Sequence, residues 1–122
     1  MGARVLIAED EANIAESLSF ILGREGHEVL AVADGAAALR QLHGELPDLL
    51  ILDVMLPGLN GFEVLKAIKS DPRLKSLPVI VLTAKTQPQD RELAEAIGVS
   101  AYLTKPFSNR DIVEQVRRLT AV

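Results

Sequence analysis

Along the chain, short continuous apolar runs alternate with longer stretches in which apolar residues recur every three or four positions. The runs are Val5-Leu6-Ile7-Ala8, Leu49-Leu50-Ile51-Leu52, Pro78 through Ala84 and Ala101-Tyr102-Leu103-Thr104. Glu28-Val29-Leu30-Ala31-Val32 is a weaker, mixed run of the kind an edge strand carries. Runs this short, bounded by turn formers such as Pro47-Asp48 and Pro57-Gly58, read as strands rather than helices. Near-continuous aliphatic content means burial on both faces, as in a parallel sheet covered by helices.

The intervening stretches have helical spacing. Ile14, Leu18, Ile21 and Leu22 lie on one face, and that helix stops near Gly23 and Gly26. Asp34 caps a second helix over Gly35 to His43, with Ala36, Leu39 and Leu42 as its inner stripe. Asn60 caps a third, with Phe62, Leu65 and Ile68 inward, and Asp71-Pro72 ends it. Leu93, Ala94 and Ile97 mark a fourth, closed by Gly98. After Lys105-Pro106-Phe107, Ser108 or Asn109 caps a fifth with Ile112, Val116 and Leu119. Strict alternation with right-handed crossovers predicts one α/β domain over residues 1–122, a doubly wound parallel sheet with helices on both faces.

In such a sheet the carboxyl ends of the strands share one edge, where open α/β sheets place their ligands. The first strand ends in Glu9-Asp10, the third in Asp53, the fourth in Thr83-Ala84 and the fifth in Lys105. Glu9, Asp10 and Asp53 form an oxygen cage suited to a hard divalent cation, and Thr83 and Lys105 suit an oxyanion. A phosphoryl group brings about −1.5 to −2 charges at neutral pH. Mg²⁺ and Lys105 together balance that charge, so the set fits a carboxylate that accepts phosphate.

Composition narrows the classes. The 122 residues suffice for one core, and 48% hydrophobic content excludes a disordered chain. Cysteine is absent, which removes disulfides and thiolate metal sites. A net charge of −4 offers nucleic acid little attraction. No run reaches the ~18 apolar residues that signal a membrane span. Met1-Gly2-Ala3-Arg4 lacks the apolar stretch of a secretory signal, so a cytoplasmic location is expected.

Glu9-Asp10, Asp53, the Leu56-Pro57-Gly58 and Asn60-Gly61 turns, Thr83-Ala84 and Lys105-Pro106-Phe107 stand in the order and approximate spacing of one family. Over essentially its whole length the chain resembles the receiver domain of bacterial two-component response regulators. The resemblance implies a flavodoxin-like strand order of 2-1-3-4-5. It implies that Asp53 takes a phosphoryl group from a phosphohistidine on a sensor histidine kinase or phosphotransfer protein. It implies Mg²⁺ held by Asp10 and Asp53, by Glu9 through water, and by the backbone carbonyl of Met55. Glu9 stands where many receivers have a first aspartate. Thr83 and the backbone N–H of Ala84 are expected on the phosphoryl oxygens, Lys105 as their ion pair, and Thr83 with Tyr102 as the switch. A cis bond is expected at Lys105-Pro106.

The same resemblance implies output through the fourth helix, fifth strand and fifth helix toward an effector domain or protein, or a phosphorylation-dependent homodimer. Ile14, Leu18 and Phe107 are expected near the kinase-docking surface. The domain would take part in its own phosphorylation and dephosphorylation without being an enzyme acting on other substrates. Met55 and Lys85, two positions after Asp53 and Thr83, offer no acceptor to hold a hydrolytic water, which predicts a long-lived phosphoryl group. An aspartate-based phosphatase would carry Asp-x-Asp, and here Met55 holds the second position. A flavodoxin-like flavin-binding module would want a Ser/Thr/Gly-rich phosphate loop and flanking aromatics, which this sequence lacks. His27, His43 and Asp34 read as surface, helix-end or capping residues, and Lys66, Lys69, Arg73 and Lys75 as a solvated face.

Overall fold

The structure, a computed structural model, describes residues 2–84 and 88–120. Five strands alternate with five helices in the order β1 (Arg4–Ala8), α1 (Ala12–Arg24), β2 (Glu28–Val32), α2 (Gly35–Gly44), β3 (Leu49–Asp53), α3 (Gly61–Ser70), β4 (Val79–Ala84), α4 (Pro88–Ile97), β5 (Ala101–Lys105) and α5 (Asn109–Thr120). The strands form one parallel sheet in the order β2-β1-β3-β4-β5, as the resemblance implied.

Period-two alternation divides the core into two layers. Leu6, Leu50, Leu52, Val79 and Val81 face α2, α3 and α4, where Ala38, Leu42, Val64, Leu65 and Ile68 meet them. Val5, Ile7, Leu49, Ile51, Ile80 and Leu82 face α1 and α5, against Leu18, Leu22, Ile112 and Val116. All of β3 is buried, whereas β2 is half open to solvent, which is why its sequence reads as mixed.

Side chains set the helix starts. Asp34 Oδ1 accepts from Ala37 N at 2.8 Å, Asn60 Oδ1 from Glu63 N at 3.0 Å, and Ser108 Oγ from Asp111 N at 3.0 Å. One expected stripe is shifted: on α2, Gly35, Ala38 and Leu42 are buried while Ala36 is exposed. The cap at Asp34 fixes that register, and the short apolar stretch Ala36-Ala37-Ala38 offered several equivalent ones. Gly61 has a close-approach role, since a Cβ there would lie 2.5 Å from the carbonyl oxygen of Asp53. That absence of side chain lets α3 start directly behind the carboxyl end of β3. The Lys105–Pro106 peptide is cis, as expected.

Candidate functional site

Each acidic residue reaches the carboxyl edge of the sheet for a local reason. Glu9 lies one residue past β1, and its N–H donates to Val32 O at 3.0 Å, prolonging the ladder so that the side chain turns inward. Only 2% of Glu9 is exposed, against an exposed Asp10 beside it. Asp53 ends β3 and is buried, with Oδ1 accepting from Met55 N at 2.9 Å. The chain bends there, so the turn itself orients the carboxylate. Glu9, Asp10 and Asp53 each present an oxygen within 4.8 Å of the others.

Lys105, the last residue of β5, pairs in register with Ala84 and reaches past β4 to the carboxylates. Its Nζ donates to Asp53 Oδ2 at 2.7 Å, and lies 2.9 Å from Glu9 Oε1 and 3.6 Å from Glu11 Oε1. The approach to Glu9 is an ion pair off the hydrogen-bonding direction, so the buried Oε1 of Glu9 has no hydrogen bond among the described residues. Thr83, on β4 one residue beyond the partner of Asp53, is also buried at this edge.

The electrostatics separate the two buried acids. Burial first, then the adjacent Asp53, pushes the Glu9 carboxyl up to about 7, with Lys105 only partly opposing. Burial also acts to raise Asp53. Hydrogen bonds from protonated Glu9, Lys105 and the Met55 N–H outweigh it and hold Asp53 below the ordinary carboxylate value. Burial acts to lower Lys105, but its hydrogen bond to Asp53 and its ion pair with Glu9 outweigh it and raise the amine. One carboxylate is thus kept charged and bound, while its neighbour holds a proton near neutrality. A hard divalent cation fits this donor set: the oxygens converge, one is buried without a hydrogen bond, and among the described residues Lys105 is the cation that answers their repulsion.

Glu9, Asp10, Asp53, Thr83 and Lys105 thus gather at one edge of the sheet. Tyr102 lies apart from them, half-buried between β5 and α4. Its hydroxyl donates to Glu95 Oε1 at 2.7 Å, and the Arg91 guanidinium lies 4.4 Å from its ring centre. Met55 is 62% exposed, and the contact it makes at the site is its amide to Asp53. Lys85, expected near the phosphoryl group, lies outside the described residues. Leu18, expected near the docking surface, is fully buried in the α1–α5 layer, and the exposed large apolar residue of α1 is Phe20. Ile14 and Phe107 are half-buried against the same layer.

Sequence reasoning overlooked three participants. Glu11 approaches Lys105 and donates its N–H to Glu9 Oε2 at 3.3 Å, a role the acidic run Glu9-Asp10-Glu11 could have suggested. Arg91 and Glu95 sit four apart on α4 and are also paired with each other at 3.6 Å, a spacing visible in the sequence.

The chain is similar to known proteins over nearly its whole length. The family model described as the response regulator receiver domain matches residues 5–117. The alkaline phosphatase synthesis transcriptional regulatory protein PhoP of Bacillus subtilis is 38% identical over 119 residues, covering 98% of this chain and 49% of that protein. The chain therefore spans about half the length of the curated relatives it matches. Among solved structures, the signal receiver domain of a signal transduction histidine kinase from Syntrophus aciditrophicus aligns with a TM-score of 0.92 and 33% identity, covering 98% of this chain and 91% of that one. The receiver domain of the sensor histidine kinase PA1611 from Pseudomonas aeruginosa, with a magnesium ion coordinated in its active-site cleft, aligns over 100% of both chains with a TM-score of 0.91 and 29% identity.

Proposed function

The chain belongs to the response regulator receiver family, a family of signalling domains, and on that premise we propose that Asp53 is its phosphoacceptor and that residues 1–122 act as one receiver domain. The observation carrying this reading is the bridge from Lys105 Nζ to Asp53 Oδ2 and Glu9 Oε1, with buried Thr83 at the same edge. An Asp53 oxygen attacks the phosphorus of a phosphohistidine, the P–N bond breaks, and the imidazole of the kinase or phosphotransfer protein leaves. Asp53 serves as nucleophile because it stays deprotonated despite burial. Lys105 then follows the negative charge onto the phosphoryl oxygens, since its amine is held charged between the carboxylates. The Thr83 hydroxyl and the Ala84 N–H donate to the other phosphoryl oxygens.

Glu9, Asp10, Asp53 and the Met55 carbonyl are the groups that would hold Mg²⁺, which when bound offsets the charge shared by carboxylates and phosphate. Glu9 must give up its proton to serve that site, and its elevated pKa puts that loss at about neutral pH, so a cation there competes with the proton. Movement of Thr83 toward phosphate lets the Tyr102 ring leave Glu95 and turn inward, altering the α4-β5-α5 face. That face addresses an effector domain, as in a transcriptional regulator of the PhoP kind, or a second phosphorylated copy. The setting is the cytoplasm; no helix among the described residues is long and apolar enough to cross a membrane. Intact-mass measurement after incubation with Mg²⁺ and acetyl phosphate tests the reading. One base-labile phosphoryl group is expected on the parent and none on Asp53→Asn; equal labelling of both would refute Asp53.

A further inference from the structure

The opposite corner of the molecule carries a sheet edge that no described strand covers, beside a partly apolar cavity. Glu28 N donates to Ala3 O at 2.9 Å and Val32 O accepts from Glu9 N at 3.0 Å, so Glu28, Leu30 and Val32 turn their backbone groups toward β1. By the period-two rule, Val29 and Ala31 turn theirs outward, and no strand among the described residues pairs with that side. Edge strands are ordinarily blunted by lysine, proline or a bulge. The sequence Glu28-Val29-Leu30-Ala31-Val32 has neither residue, and its register with β1 is continuous.

Next to this edge lies an open cavity of about 190 Å³, lined by Leu6, Leu30, Leu46 and Pro47 and also by the polar Arg4, Gln41 and Glu45. A closed aliphatic cavity of about 150 Å³ holds a benzene ring, so by size one aromatic or leucyl side chain fits here against Leu6, Leu30, Leu46 and Pro47. Leu30 and Leu46 are 48% and 44% exposed, both unusually open for leucine. Free main-chain groups with an adjoining side-chain pocket are the two parts of strand-addition recognition: the backbone supplies affinity and the pocket supplies selectivity.

Charge selects the occupant. Arg4 pairs with both Glu28 and Glu45, and its N–H donates to Asp48 Oδ2 at 2.8 Å. One guanidinium among these carboxylates leaves the rim negative, with Glu28 and Glu45 more than half exposed. A basic segment meets these carboxylates favourably, and a second copy of this acidic edge offers no cation to match them. Glu28 and Leu30 lie on one face, two positions apart, so the complement has the same spacing. We infer that the outer edge of β2 and the cavity beside it form a docking site for an extended peptide segment with an apolar anchor and a basic residue two positions away. The site is independent of the phosphoryl chemistry at the carboxyl edge.

Fluorescence anisotropy with a fluorescein-labelled Thr-Lys-Val-Phe-Val-Lys-Thr peptide tests this, since its symmetric pattern suits either strand direction. Saturable binding to the parent is expected, with at least about tenfold loss for Leu30→Lys, for Ala31→Pro, and for the peptide with glutamates in place of lysines. Ala31→Pro removes an outward N–H and leaves the β1 ladder intact. Thermal melting and acetyl phosphate labelling of both variants verify that the fold persists. In the parent, amide shifts on peptide addition should centre on Val29 and Ala31, a readout that needs no variant. Absent binding, equal binding of the acidic peptide, or undiminished binding by folded variants would overturn the site. Parent self-association abolished by Ala31→Pro would place a second copy there instead, and overturn the peptide assignment.

Discussion

Glu9 is the residue whose behaviour most sharply separates this site from a generic acidic cluster. Its carboxyl pKa is raised from 4.5 to about 7 by burial and by Asp53. For an acid with a raised folded value, the contribution to stability is fully present below 4.5 and is lost as pH rises through about 7. Asp53 has the opposite sign, contributing above its ordinary value of 3.8 and losing that contribution only as pH falls further, so it stays constant across the Glu9 window. Metal-free protein should therefore lose thermal stability from pH 5 to 8, and Mg²⁺ should restore more of it at pH 8 than at pH 5. Glu9→Gln should flatten the metal-free profile, raising Tm at pH 8 by about 3–6 °C if roughly 1 kcal/mol is recovered. Melting curves with and without Mg²⁺ decide; a parent profile rising with pH would contradict the assignment. The raised value was not legible in the sequence, because it depends on Glu9 turning inward while Asp10 turns out. Met55 and Lys85 carry a second expectation at this scale. The phosphorylated parent should persist for minutes, and a Met55→Asn, Lys85→Glu variant should lose phosphate faster in a decay time course. Decay of the parent within seconds, or no acceleration, would remove that role from both side chains.

At the scale of elements, the strands could be read from the sequence because each is a dense aliphatic run between turn formers. Helix faces were read less well, since a helix with many alanines has several equivalent inner stripes until its cap fixes the register. On α2 the distinction is testable. Ala38→Leu should destabilise by about 1–3 kcal/mol through overpacking, whereas Ala36→Leu, on the exposed side, should stay within about 0.5 kcal/mol. Urea denaturation of the pair checks this, and equal costs would mean that the register is wrong. On β3, Leu52→Ala should cost about 2–5 kcal/mol, because Leu52 is fully buried directly before the phosphoacceptor candidate. The interactions that hold Tyr102 outward belong to this scale too. Arg91 and Glu95 are four apart on α4, and their meaning depends on β5 placing the ring across from them.

For the whole molecule, topology converts scattered residues into a site. Glu9, Asp53, Thr83 and Lys105 are separated by up to 96 positions in the chain, yet four adjacent parallel strands deliver them to one edge. That convergence was legible because parallel strands end together. The ion pair directed at Asp53 and the buried oxygen of Glu9 without a hydrogen bond required coordinates. Coupling from this edge to Tyr102 has a convenient probe, since Tyr102 is the sole tyrosine and tryptophan is absent. Intrinsic fluorescence should change on adding Mg²⁺ and acetyl phosphate to the parent and stay constant in Asp53→Asn. An unchanged parent signal at full phosphorylation would uncouple Tyr102 from the site.

The central claim is that the phosphoryl group resides on Asp53. Borohydride reduces an aspartyl phosphate to homoserine, marking the acceptor permanently, and peptide sequencing by mass spectrometry then locates it. Homoserine is expected at position 53 in protein treated with Mg²⁺ and acetyl phosphate, and none without Mg²⁺. Homoserine at Asp10, or phosphorylated protein with aspartate unaltered at position 53, would contradict it.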